Sequence, residues 1–169
     1  MEHTAKLSNA EALRMINSNL NVQVYRIYRS IGSVICMEAC KEEILLRSPS
    51  LPDELRKKDV PLPTFCVYCR INLAHWKIYK GDKILLTSRF YSNSKCERIL
   101  NQLIGEKLKK VRVILKQREL ELIFSNKYSI IVHEFAQYYG EDAKMIVFCV
   151  NNSWLRYTFK HEFELVIDE

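Results

Sequence analysis

The sequence predicts an α+β protein, predominantly antiparallel β, made of two pseudo-repeated units that form one compact domain. Three observations predict it. Short runs of alternating apolar and polar residues recur along most of the chain, separated by polar turns. Helix-start signals of the Ser-x-x-Glu type occur at Ser8–Glu11 and at Ser94–Glu97. The succession of these signals is similar in residues 1–90 and in residues 91–169, each a short N-terminal helix followed by a β-meander.

Length and composition agree with this class. The chain has 169 residues, of which 48% are hydrophobic, enough for a substantial core. Only four Gly and four Pro are present, which disfavours long disordered segments. No apolar run approaches the ~18 residues of a membrane span, and the N-terminus MEHTAKLSNAEALRMI lacks the apolar stretch of a secretory leader. The expected compartment is the cytoplasm, where the six cysteines would be reduced. The net charge is +6, divided as +5 over residues 1–90 and +1 over residues 91–169. That dispersal disfavours a dedicated nucleic-acid binder, in which basic residues concentrate.

Taken in order, Ser8-Asn9-Ala10-Glu11 opens a helix that Ala12, Leu13, Met15 and Ile16 continue to about Ser18. Alternation from Leu20 to Arg29 predicts a strand, and Val34 to Cys40 a second, with Ile44–Leu46 extending it or starting a third. Residues 48–63 carry Pro49, Pro52, Pro61 and Pro63 around a charged run and read as a long loop. Thr64–Ile71 is β-prone. His75–Tyr79 and Lys83–Thr87 flank Lys80-Gly81-Asp82 as a hairpin. Ile99, Leu100 and Leu103 give the second helix an apolar face, and Gly105 suits its end. Strands follow at Lys107–Leu115, Leu120–Phe124, Tyr128–Val132, Lys144–Val150, Trp154–Phe159 and Phe163–Ile167.

The halves align in more than order. Ser8 and Glu11 fall on Ser94 and Glu97, and Leu20, Val24 and Ile27 fall on Ile104, Leu108 and Val111 at the same mutual spacing. Trp76 and Trp154 each precede a hairpin, and Ile84-Leu85-Leu86 lies where Phe163-Glu164-Leu165 lies. The layout resembles a group of small bacterial β-rich proteins, some of them similar to the immunity proteins of polymorphic toxin systems. LIGEKLKKVRV, LELIFSNKYSIIV, HWKIYKGDKILL and NSWLRYTF carry the resemblance. The turn Ser125-Asn126-Lys127 departs from it, standing where such proteins often have an acidic-Gly or Asn-Gly turn. What the resemblance implies is a non-catalytic protein that binds one partner, a bacterial toxin domain, and occludes its active site. A basic binder suits a toxin whose contacted patch is acidic.

No cofactor motif, Gly-rich phosphate loop or nucleophile motif is present, so neither an enzyme nor a cofactor is expected. Cys66-x-x-Cys69 with Cys36-x3-Cys40 has the ligand types of a four-thiolate zinc site. Val67-Tyr68 is β-prone, however, and positions i and i+3 of a strand face opposite ways, so the cysteines read as buried fillers. A thioredoxin-like role is disfavoured too, because no helix start follows Cys66. His75, His133 and His161 read as isolated surface histidines. His133-Glu134 and His161-Glu162 would serve acid–base chemistry only if the fold gathered partners around them. For partner contact, the expected residues are Asp53, Glu54, Arg56, Lys57 and Lys58 in the long loop, with Tyr138, Tyr139, Glu141 and Asp142 in an acidic turn. The alternative is a nucleic-acid or nucleotide-binding module, of which a phage anti-defence protein is one form. It would use Lys107, Lys109, Lys110, Arg112, Lys116 and Arg118, of which Lys110, Arg112, Lys116 and Arg118 share one face if the strand is continuous. No aromatic residue is interleaved with that run, which favours a solvated strand face instead.

Overall fold

In the computed structural model, which describes residues 3–30, 33–41, 67–72, 75–89, 92–133, 144–158 and 160–167, twelve strands join in a single antiparallel sheet. They are β1 (His3–Leu7), β2 (Val22–Arg29), β3 (Ile35–Cys40), β4 (Val67–Ile71), β5 (His75–Lys80), β6 (Lys83–Thr87), β7 (Lys107–Ile114), β8 (Glu119–Phe124), β9 (Tyr128–His133), β10 (Lys144–Val150), β11 (Ser153–Thr158) and β12 (Phe163–Ile167). Their order across the sheet is β1-β12-β11-β10-β4-β3-β2-β7-β8-β9-β5-β6. Both parts of the chain therefore contribute to one sheet. The β5–β6 hairpin of the first part adds beyond β9, and β10–β12 of the second part add beyond β4.

Among the described residues two α-helices occur, α1 (Asn9–Asn17) and α2 (Asn93–Asn101). The first capping box forms as the sequence predicts: Ser8 Oγ accepts from the Glu11 amide at 3.2 Å, and the Ser8 amide donates to Glu11 at 3.1 Å. The second does not form at Ser94. Helix α2 begins two residues earlier, with Ser92 as its cap accepting from the Lys95 amide at 3.3 Å. Lysine stands at the third helical position, so no acidic side chain reaches back, and Ser94 lies inside the first turn. Helix α1 packs on β7 and α2 on β2, burying Ala12 and Ile16 from one and Cys96, Ile99 and Leu100 from the other.

The sheet curls strongly. From β2 to β5 there are four strand spacings, about 19 Å on a flat sheet. Yet Trp76 Nε1 on β5 donates to the carbonyl of Ser33, between β2 and β3, at 2.6 Å. Curling brings the inner faces of both flanks together, and one cluster joins Val24, Met37 and Cys69 to Trp76, Ile130, Phe148 and Tyr157. Bulges at Val24/Arg26, Leu108/Lys110, Ile78/Tyr79 and Lys144/Ile146 accompany the bending.

The turns use left-handed residues where the chain must reverse tightly. Gly81 (φ +58°) turns β5 into β6, Asn126 (φ +51°) and Lys127 (φ +64°) turn β8 into β9, and Asn151 (φ +49°) and Asn152 (φ +61°) turn β10 into β11. Strand β1 has no strong alternation and was not expected. It pairs with β12 from His3–Ile167 to Leu7–Phe163 and covers that strand's otherwise open side. Trp76 and Trp154, matched in the sequence alignment of the halves, differ in the fold: Trp76 is fully buried and Trp154 is exposed.

Candidate functional site

Strand pairing decides which side chains meet on the sheet face turned away from the core. Because partners across an antiparallel pair point to the same side, one row runs Arg26, Glu38, Tyr68, Cys149, Trp154 from β2 to β11. The neighbouring row runs Tyr28, Cys36, Arg70, Val147, Arg156, Glu164 from β2 to β12. Along β3, Ile35, Met37 and Ala39 take the core side, which leaves Cys36 and Glu38 on this one.

The face is rich in aromatic and guanidinium groups, and several are already in contact. The Tyr68 and Trp154 rings meet edge-on with centroids 6.0 Å apart. The Arg26 guanidinium lies 4.7 Å from the Tyr28 ring centre and 3.5 Å from Glu38. Tyr25 donates to the same carboxylate at 2.7 Å. Its hydroxyl pKa is pushed well up, first by burial and then by this bond to Glu38. The Tyr68 hydroxyl is raised likewise by burial and by its 3.7 Å contact with the Cys36 sulfur. Despite these contacts, Trp154 and Tyr28 each keep 37% of their surface exposed.

A second cluster lies at the other flank. On β8, β9 and β5 the row Glu119, His133, His75 is contiguous. His133 Nδ1 is 2.9 Å from Glu119, and His75 is 3.2 Å from Ser88 Oγ and 2.7 Å from Arg89. These histidines were expected to be isolated on the surface; the fold instead gathers them, half-buried, beside a pocket of about 380 Å³. The acid partner of His133 is Glu119, fourteen positions earlier in the chain, because β8 and β9 pair antiparallel. Adjacent Glu134 lies outside the described residues. His161 bonds Tyr157 at 3.3 Å, while Glu162 pairs with Lys6 at 2.9 Å.

The expected basic strand face is interrupted. β7 stops at Ile114, residues Leu115–Gln117 form a 3-10 turn, and Arg118 is left-handed at φ +53°. Lys116 and Arg118 thus leave the strand that carries Lys107, Lys109, Lys110 and Arg112. A bulge at Lys109 breaks the alternation further, and Arg112 is held by Glu121 across to β8. The condition of a continuous strand fails at Leu115–Gln117, a turn that charge spacing alone does not signal.

Among the cysteines, Cys69 faces the core opposite Met37 while Cys36 faces outward opposite Arg70. The two therefore lie on opposite faces of the sheet. Burial pushes the Cys69 thiol well up. Cys40 is disulfide-bonded, which departs from the expectation that every cysteine is reduced. Such a bridge leaves no spacing signal, since its halves can lie far apart along a chain. Among the described residues no group of three His, Cys, Asp or Glu is placed to hold a metal ion. No described helix is long and apolar enough to cross a membrane. Cys66, the loop carrying Asp53, Glu54, Arg56, Lys57 and Lys58, and the turn carrying Tyr138, Tyr139, Glu141 and Asp142 all lie outside the described residues.

No protein-family model, curated protein or solved structure matches the chain.

Proposed function

We propose that this chain is a non-catalytic binding protein that docks one protein partner on the open face of its sheet, and that the partner is a toxin domain it neutralises. The observation that carries the binding reading is the cluster of exposed Trp154, Tyr28, Arg26 and Arg70 with half-buried Tyr68 on one continuous surface. Trp, Tyr and Arg dominate the energetics of protein interfaces because each offers a large contact area with a polar handle. Strands hold these side chains, so little ordering entropy is lost on docking. In the two rows Arg26, Arg70 and Arg156 outnumber Glu38 and Glu164, which suits an acidic patch on the partner. The toxin reading rests on the resemblance of the hairpin and Trp-led strand patterns.

The duplication inferred from the sequence belongs to the same proposal. Its support is reciprocal packing. Each helix is followed by an antiparallel pair, β2–β3 or β7–β8, α1 packs on β7 and α2 on β2, and β2 meets β7 at Val22–Leu108 and Gln23–Lys107.

The test is affinity capture from the source cell with the wild type, Trp154→Ala and Tyr28→Ala. The expected result is one stoichiometric protein that survives high salt, is lost with Trp154→Ala, and is toxic when expressed alone. Aromatic and guanidinium groups interleaved on a sheet also suit single-stranded nucleic acid. Nucleic acid in the eluate, released steeply by salt, would replace the protein reading with that one.

A further inference from the structure

The pocket at the β5–β9 flank is independent of the docking face. We propose that it binds a small organic phosphate, whose phosphoryl group sits among Arg89, Lys77 and the imidazoles of His75 and His133.

The argument starts from the pairing register. His75 and His133 are direct partners across β5 and β9, so their rings share one side of the sheet, and Lys77 follows two residues later on the same side. Trp76 and Ile78 point the other way into the core and fix the strand that carries these groups. Thr87, Ser88 and Arg89, at the end of β6 and just beyond it, complete the wall.

The proton of His133 is fixed by its partner. Glu119 lies 2.9 Å from His133 Nδ1, so the carboxylate holds the proton there and leaves Nε2 with its lone pair. That Nε2 is buried and makes no hydrogen bond among the described residues. His75 is oriented differently. Arg89 donates to its Nε2 at 2.7 Å and to its Nδ1 at 3.4 Å, and Nδ1 also faces Ser88 Oγ at 3.2 Å. Ser88 Oγ also accepts from the Trp76 amide at 3.3 Å.

These groups set the ligand class. The cations Arg89 and Lys77 ask for an anion, and no ion pair to Lys77 occurs among the described residues. The bare Nε2 of His133 asks for a proton donor. A phosphomonoester monoanion supplies both, and a second ionisation at about pH 6 keeps that form accessible near neutral pH. A carboxylate or sulfate supplies the charge without the proton. The volume, about 380 Å³, suits a phosphorylated sugar or nucleotide and is too small for a macromolecule. Burial, with Lys77 nearby, holds His133 below the usual histidine pKa, against the opposing pull of Glu119. Burial, Arg89, His133 and Lys77 do the same for His75. Both rings are thus neutral before the ligand arrives, and the one proton of the phosphoryl monoanion is shared with, or passes to, His133 Nε2.

The test is NMR titration of the histidine ring protons with inorganic phosphate and ribose 5-phosphate, with sulfate as the control. Saturable shifts of both His75 and His133, with a Kd for ribose 5-phosphate below about 1 mM, are expected. His133 should titrate at higher pH in the complex than in the free protein. Arg89→Ala, an exposed position, and His133→Asn should each weaken binding at least tenfold while their spectra stay dispersed. Absence of saturable shifts would overturn the proposal. Sulfate binding as tightly as phosphate, or undiminished affinity in Arg89→Ala, would overturn the assignment of ligand and residues.

Discussion

Replacing Trp76 by Phe tests the curled sheet directly. The indole is fully buried on β5, and its Nε1 reaches the Ser33 carbonyl at 2.6 Å across the concave side. The substitution removes this bond and leaves a partly buried carbonyl without its donor, at about 1–2 kcal/mol. It also deletes two buried ring carbons, at about 0.8 kcal/mol each. The sum is about 3 kcal/mol, a large share of a typical domain's stability. Urea unfolding followed by far-UV circular dichroism measures it, the midpoint falling with an unchanged slope. The control is Trp154→Phe, which touches the exposed tryptophan and should cost under about 1 kcal/mol. That variant leaves Trp76 as the sole indole. Its emission should be that of a dry site and should shift red on unfolding. A Trp76→Phe loss under about 1 kcal/mol, or a solvent-like Trp76 emission, would refute the closure of β5 against the β2–β3 end.

Four further outcomes are expected. His75 and His133 both have depressed folded pKa values, so the unfolded chain takes up protons first as the solution is acidified. Their contribution is complete above about pH 6.5 and is lost as pH falls through the lowered values. Urea midpoints should therefore drop on acidification, and less steeply in a His75→Asn/His133→Asn double variant. Ser92→Ala should cost about 1 kcal/mol as loss of a helix cap, and Ser94→Ala far less, in thermal melts. Arg112→Ala should cost about 1–2 kcal/mol, since it strands Glu121, only 8% exposed; the figure is discounted because Arg112 is itself half-exposed. Restoring the loss with Glu121→Leu would show that the stranded charge is the cause. Lys127→Gly should stabilise by about 0.5–1 kcal/mol, because Lys127 holds a left-handed φ of +64° in the β8–β9 turn; a destabilised variant would mean that the Lys127 side chain matters more than its backbone.

Most strands were legible because alternation is a local signal. The runs from Leu20, Lys107, Leu120, Tyr128, Lys144, Trp154 and Phe163 all became strands within a few residues of their expected limits. Strand β1 was hidden because HTAKL has little apolar content; its backbone pairing to β12 holds it rather than buried side chains. The α2 cap was misplaced because Ser92 and Ser94 both offer a hydroxyl, and Glu97 made the later one look complete. Strand order was not legible at all. Local pattern says nothing about which edges meet, and here hairpins from one part of the chain extend the strands of the other.

That exchange explains why neither surface was visible in the sequence. Glu119 and His133 belong to one hairpin, but His75 joins them only because β5 adds beside β9. Likewise Tyr28 and Tyr68 meet through β2, β3 and β4, but Trp154 joins them only because β10 adds beside β4. Each cluster takes residues from both parts of the chain, and each depends on the same topological step. A histidine read beside its sequence neighbour, or a basic run read without its turn, is judged in the wrong company. The two clusters also differ in kind. One is a broad, aromatic, arginine-rich face suited to a large partner, and the other a small pocket with a bare imidazole nitrogen. Removing the β5–β6 hairpin would abolish the second while leaving every strand of the first paired. Phosphate binding should therefore be separable by mutation from partner capture. Loss of both with Arg89→Ala would mean that the two surfaces are one site.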